Sequence, residues 1–329
     1  MTLSKTRTPI STLALAWAAL AGNLIVILQG AVVRATGSGA GCGSHWPTCN
    51  GEVIPLTPST ETLIEFSHRL LSLGVLILGV WVLSRVWRSR QDNRGLFVFG
   101  LASFVLLIIE ALLGAATVLL GLTGDNASFG RGLMVATHLV NSVLLVGVLT
   151  LTVVYARKGG KALWPLRLGQ QGSLAAALSV GLVGMLVLMF SGGIAAMGNT
   201  MFPSETLAEG VAADFDPNSH PLIRLRILHP LIAITVGIYL YISLGFSRWL
   251  KPAPEAKGAT RGLVGVYAAQ LIVGTANLAL LAPVVLQLLH LGLAVAAFAL
   301  LSAVTAYTLG SDAPLRTLSR SPQLGAKEV

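Results

Sequence analysis

Eight long apolar runs organise this chain, at positions 11–34, 63–84, 96–120, 132–156, 173–197, 222–246, 262–281 and 284–309. A helix that crosses the hydrocarbon core of a bilayer needs about 20 mostly apolar residues. Each run is long enough, and few charges interrupt any of them. The runs are continuous, so they predict helices and not the short alternating strands of a membrane barrel. The first is too long for a cleaved leader, and no small-residue cleavage site leads from it into a polar domain. The pattern therefore predicts an all-α polytopic membrane protein with eight transmembrane helices.

Composition narrows the function classes. Of 329 residues, 54% are hydrophobic and 11% charged, against about 25% charged in soluble domains. An ordinary soluble enzyme, a disordered chain and a collagen are all excluded. The formal charge is +9, from 22 basic and 13 acidic residues, and its placement explains it. Lys5 and Arg7 precede the first run, and Arg85, Arg88, Arg90 and Arg94 lie between the second and third. Arg157, Lys158, Lys161 and Arg167 lie between the fourth and fifth, and Arg248, Lys251, Lys257 and Arg261 between the sixth and seventh. Arg316, Arg320 and Lys327 follow the eighth. The other loops are neutral or acidic, with Glu52 and Glu61, then Asp125, then Glu205, Glu209, Asp214 and Asp216. By the positive-inside rule both termini are cytoplasmic and the acidic loops face outward. The basic excess is then an insertion signal with some attraction to anionic lipid, and no nucleic-acid partner is expected. The short N-terminus lacks a long Arg/Ser-rich presequence, which favours a bacterial inner (cell) membrane.

The chain also echoes itself. Residues 1–160 and 161–329 each hold four runs, and an even number per half gives both halves one orientation, so a symmetry axis would run along the membrane normal. Arg34-Ala-Thr-Gly37 and Ala195-Ala-Met-Gly198 place their glycines 161 apart, and Leu113-Gly114-Ala-Ala-Thr117 and Val273-Gly274-Thr-Ala-Asn277 are offset by 160. The expected architecture is two tandem four-helix bundles, an N-terminal one over 1–160 and a C-terminal one over 161–329. Each is able to enclose a cofactor among facing side chains.

Histidine carries the candidate chemistry. His45 and His220 lie in outer loops, while His68, His138, His229 and His290 lie in runs two, four, six and eight. His68 and His229 are 161 apart and His138 and His290 are 152 apart. All four sit five to seven residues past the outer end of their runs, hence at similar depth at about 1.5 Å per residue. Intramembrane ionisable residues are costly and mostly functional. Imidazole suits iron, zinc and copper. Two imidazoles facing across an apolar bundle suit the two faces of a flat haem, whereas a compact zinc site would draw in carboxylates or thiolates. Hydrogen-bonded packing histidines are the plainer alternative.

The halves differ in charge. Glu65 precedes His68 by three residues and so shares its helix face. Arg226 stands at the matching place before His229. A carboxylate suits proton transfer or stabilisation of developing positive charge, and an arginine suits haem propionates. The plainer alternative for Glu65 is a membrane-edge residue paired with Arg69 or Arg34. Glu110 in the third run has Gln270 as its counterpart in the repeat, and a protonated, hydrogen-bonded carboxyl is its modest explanation. Cys42 and Cys49 sit in the glycine-rich first outer loop. Their outward placement allows a structural disulfide, a redox-active pair, or a metal site with His45.

On these residues the chain resembles the haem A synthase family. The resemblance rests on Gly30-Ala-Val-Val-Arg34-Ala-Thr-Gly37-Ser-Gly39, the Cys42–Cys49 loop with Trp46-Pro47, Glu65-Phe-Ser-His68-Arg69, Thr137-His138, His229-Pro230 and Leu289-His290. It covers roughly 15–310. It implies an internally duplicated enzyme that oxidises the C8 methyl of haem O to a formyl group by successive hydroxylation, for terminal oxidases. It further implies His229 and His290 as haem b ligands, His68 and His138 as ligands or positioning groups for substrate haem O, and Glu65 as the leading catalytic residue. Cys42 and Cys49 become the outer-loop pair. The chain departs from the family in lacking a second cysteine pair in the fifth loop and in carrying Glu110 where the family has a glutamine. A membrane quinol as electron donor and haem O synthase as partner are expectations of the same kind. A two-haem b-type cytochrome fed by quinol explains the four histidines equally well but neither the Glu65/Arg226 contrast nor the cysteine loop. A transporter would place its site at the bilayer midplane, deeper than these histidines.

Overall fold

Polar residues bracketing the apolar runs set the helix ends. The computed structural model of the chain describes residues 11–158, 160–166 and 171–315. The basic positions Lys5, Arg7, Arg167, Arg316, Arg320 and Lys327 lie outside them. Helices are α1 Thr12–Ala35, α2 Thr60–Arg88, α3 Arg94–Leu119, α4 Phe129–Ala156 and α5 Gly172–Met201. They continue as α6 Leu207–Phe215, α7 Pro221–Arg224, α8 Leu228–Leu250, α9 Ala256–Ala279 and α10 Val284–Gly310. With α7 and α8 counted as one span, eight are long and apolar enough to cross a membrane. The chain is an all-helical, multi-pass membrane protein, and no β-strand occurs among the described residues.

Several helices outrun their apolar runs because a cap lies farther out. Ser59 accepts from the Thr62 amide at 3.2 Å and starts α2 three residues before the predicted 63. Ser128 does the same for α4, accepting from the Arg131 amide at 3.2 Å. Each side-chain oxygen satisfies an amide that the first turn leaves unpaired. The loop expected at 198–221 is partly helical. There α5 continues to Met201, and α6 is capped by Thr206, whose hydroxyl accepts from the Glu209 amide at 3.2 Å. The sixth span is interrupted over 225–227, just before His229. Pro230 explains this: it cannot donate to a carbonyl one turn back, and its ring would crowd that carbonyl.

Consecutive helices pack as neighbours. α1 touches α2 and α4, α2 touches α3, and α3 lies along α4; α5 touches α8 and α10, and α9 lies along α10. α4 is central and also meets α5 and α10. Two-thirds of its apolar window (67%) is buried, against at most 39% for any other span. Small residues permit this crowding. A Cβ on Gly193 of α5 would come within 2.8 Å of Ala136 Cα on α4, and one on Gly147 of α4 within 2.6 Å of the Phe298 ring of α10. Close backbone approach replaces the hydrophobic driving force that helix pairs lack in lipid. Val143, Val146, Met185, Val295, Phe298 and Leu301 fill the core between α4, α5 and α10. Ile77, Tyr241 and Ile272 instead point outward, as lipid-facing residues do.

Candidate functional site

Each membrane histidine lies edge-on to a glycine of a neighbouring helix. A Cβ on Gly30 of α1 would lie 3.1 Å from His68 Cε1, and one on Gly114 of α3 would lie 3.6 Å from His138 Cε1. A Cβ on Gly192 of α5 would lie 3.0 Å from His229 Cε1, and one on Gly274 of α9 only 2.7 Å from His290 Cε1. The missing side chains let each imidazole sink against the next helix. Gly114 and Gly274 stood out in sequence, but Gly192 did not. Its spacing of 162 from Gly30, within one or two residues of the 160 and 161 offsets, was the available signal.

In the second half the two imidazoles face each other. Ring centroids of His229 and His290 are 6.1 Å apart with planes 82° to one another. Two imidazoles that bound one metal atom at roughly 2 Å each would have their centres about that far apart, so His229 and His290 are the residues that would hold a haem iron, which would supply electron transfer. Ser191 Oγ lies 3.0 Å from His229 Nδ1, which would leave Nε2 available to a metal, as a partner behind a ligating histidine does. The Gln270 amide nitrogen lies 3.1 Å from His290 Nε2. The amide donates, so that Nε2 keeps its lone pair. His290 Nδ1 and Gln270 Oε1 are buried without partners, a cost that a rearranged, occupied site can relieve.

The first half is bonded differently. His138 Nε2 lies 3.1 Å from Glu110 Oε1. The Glu110 carboxylate also takes the Asn141 amide at 2.5 Å and the Ser142 hydroxyl. Glu110 is thus a hydrogen-bonded carboxyl, as expected, and one of its partners is a site histidine. His68 lies within electrostatic reach of both His138 and Glu110, and its Nδ1 is buried without a partner. For His138 to bind a metal through Nε2, Glu110 must release it. Gln270 on the other side asks only for rotation of a neutral amide.

The loops over the two pockets are clamped from matching helix positions with opposite charge. Cys42 and Cys49 form a disulfide. Glu65 is buried, at 4% exposure. Its Oε2 accepts from the Cys42 amide at 2.8 Å, and its Oε1 accepts from Arg69 Nη2 at 2.5 Å. Arg69 Nη1 donates onward to the carbonyls of His45 and Thr48 at 2.7 and 2.6 Å. Glu65 and Arg69 therefore pin the disulfide loop to the helix that carries His68. Arg226, three residues before His229, pairs with Asp214 of α6 at 2.8 Å and donates to Asn199 Oδ1 at 3.0 Å. Its guanidinium holds the second loop and is already engaged by a carboxylate. Arg34 is not a partner of Glu65. It donates to Ala196 O at 3.0 Å, to Thr200, and to Gln287 Oε1 at 2.6 Å, and so ties α1 to α5 and α10. His45 lies in the disulfide loop and His220 caps α7, and among the described residues no three His, Cys, Asp or Glu are grouped to hold a metal ion directly.

The glycine contacts make a graded test. Gly274→Ala forces a 2.7 Å contact on His290, while Gly114→Ala meets His138 at an ordinary 3.6 Å. For a haem held by these histidines, we expect the first to weaken retention roughly tenfold, the scale of an outer-ligand disturbance, and the second to leave it near wild type. The ratio of Soret to protein absorbance after purification checks this, and equal behaviour of the two variants would refute ring crowding as the cause.

Residues 14–302 match the COX15-CtaA family, described as cytochrome oxidase assembly protein. A Thermus thermophilus protein named Protoheme IX farnesyltransferase is 46% identical over 289 residues, which are 87% of this chain and 46% of that protein. Heme A synthase of Alkalihalophilus pseudofirmus is 38% identical over 142 residues, 42% of this chain and 44% of that protein. Heme A synthase of Bacillus cereus is 48% identical over 100 residues, 30% of this chain and 32% of that protein. The chain thus spans less than half the length of these curated relatives.

Proposed function

The chain belongs to the COX15-CtaA family of cytochrome oxidase assembly proteins, and on that premise we propose that it acts as a haem A synthase. In this reading it oxidises the C8 methyl group of haem O to a formyl group by successive hydroxylation. The observation that carries the reading is the contrast between the two histidine pairs. His229 and His290 face each other, and Gln270 leaves the lone pair on His290 Nε2 in place. That arrangement suits a permanently held haem b, which supplies electron transfer. His138 is held by the Glu110 carboxylate, which suits a histidine that takes and releases an exchangeable substrate haem together with His68.

The residues divide the work accordingly. Ser191 fixes the ring orientation of His229, and the glycines set the depth of each imidazole. Glu65, one turn before His68, is the catalytic carboxylate of the first pocket in this proposal and fixes the disulfide loop above it. Arg226 keeps the second loop in place through Asp214 and so closes the cofactor side. Apolar span surfaces hold the farnesyl tail, which enters from the lipid. The duplication into 1–160 and 161–329, with a catalytic and a cofactor half, belongs to the same proposal; the glycine–histidine pairs on matching helices support it. A quinol serves as electron donor. A haem O-forming prenyltransferase is the natural partner, which agrees with the Thermus relative's printed name and with the more than half of its length that this chain does not match.

Co-expression with a source of haem O, followed by extraction and chromatography of the haems, tests the function. We expect haem A together with its hydroxylated precursor, and one tightly bound haem b per chain. Two tight haems and no haem A would mean a b-type electron carrier instead.

A further inference from the structure

A cavity lies at the basic end of the molecule, away from the histidines. It measures about 330 Å3 and opens between α8, α9 and α10, within the range of small-ligand sites. Along their length α8 and α9 share few contacts, and Tyr241 and Ile242 of α8 and Val264 and Ile272 of α9 are exposed as lipid-facing residues are. Leu244 and Val304 make its apolar wall, and Arg248 and Lys257 line it. Among the described residues neither cation has a carboxylate partner. Lys251 adds a buried ammonium to the wall, held by Gln171 Oε1 at 2.9 Å and Ser311 O at 2.8 Å. An independent feature points to a ligand. Ser247 lines the same cavity at 3% exposure, and its hydroxyl has no hydrogen-bond partner. A buried hydroxyl left unpaired costs free energy that a bound acceptor would recover.

We propose that this cavity binds a phosphate-bearing anion, supplied by the headgroup of an anionic phospholipid whose acyl chains lie in the α8–α9 groove. Two surface cations attract the phosphate, and the Ser247 hydroxyl donates to it. Basic pockets between spans at the positively charged membrane face recognise such headgroups by the same chemistry. This site is independent of the haem reading, and its test uses no haem.

The test compares the full chain in phosphatidylcholine nanodiscs, in nanodiscs containing phosphatidylglycerol, and in phosphatidylcholine nanodiscs with inorganic phosphate. Thermal melting and native mass spectrometry are the readouts. Phosphatidylglycerol should raise the melting temperature and remain bound, whereas inorganic phosphate should do neither; equal protection by inorganic phosphate would assign the same site to a soluble phosphate. The double variant Arg248→Gln/Lys257→Gln should weaken phosphatidylglycerol binding roughly tenfold or more, from the loss of two near-surface cations. Ser247→Ala should also weaken it while leaving the melting temperature in phosphatidylcholine unchanged or higher, since it deletes an unpaired buried group. Arg88→Gln/Arg90→Gln removes two charges outside the cavity and should keep binding intact. Equal loss in both double variants, or no effect of either probe, would overturn the proposal.

Discussion

On the proposed haem A synthase reading, replacing His229 or His290 with alanine is expected to yield purified protein without a tightly bound haem and to lower haem A output by roughly a hundredfold or more. Disturbing groups behind a metal ligand costs about 10–100-fold, so removal of the ligand itself sets a larger loss. The two rings stand 6.1 Å apart across the pocket, and no other histidine is offered at that place to substitute. His138→Ala should behave differently: haem b stays bound and absorbs normally, while haem O accumulates. The readout is the pair of haem content and extracted-haem profile for each variant. Identical profiles for His138→Ala and His290→Ala would refute the division into an exchangeable and a permanent site.

Glu65→Gln is the second large effect. The variant keeps a side-chain oxygen for the Cys42 amide but loses the charge paired with Arg69. We expect haem b to be retained and haem A to fall roughly a hundredfold, the scale of removing a positioned proton-transfer group, with substrate or its hydroxylated form accumulating. Breaking a buried pair costs about 3–5 kcal/mol. Arg69 keeps two carbonyl acceptors at His45 and Thr48, so the stability loss should fall at or below the low end. Arg69→Gln separates charge from clamping, because it releases the loop and leaves the Glu65 carboxylate in place. If it blocks haem A formation as fully as Glu65→Gln, then Glu65 is a positioning residue for the disulfide loop, and the catalytic assignment fails.

The spans, the four histidines and the cysteine loop were legible in sequence because each depends on local chemistry. Twenty apolar residues must be helical in lipid whatever surrounds them, and an intramembrane histidine is conspicuous by its cost. The partners were less legible. Arg34 looked available to Glu65, yet it reaches across to Thr200 and Gln287, 166 and 253 positions away. Arg226 looked like a cation for a haem carboxylate, and the fold gives it Asp214. The helical stretch α6 was hidden in a loop without a clear apolar run. Gly192 and Ser191 were hidden because a small residue in an apolar run has no visible role until its neighbour is known.

The Glu65/Arg226 contrast shows where the boundary lies. Sequence by itself determined eight membrane-length helices, the sorting of charge between alternate loops, and a histidine in every second span. These follow from hydrophobicity and helix geometry, which act over one or two turns. Tertiary structure decided what each polar group does. Glu65 and Arg226 each hold the loop above their own pocket, and a further difference between the pockets lies in Glu110 against Gln270, beside His138 and His290. The reason is physical: a buried polar group must find a partner at about 3 Å, and which atoms come within that distance depends on helices brought together from far apart in the chain.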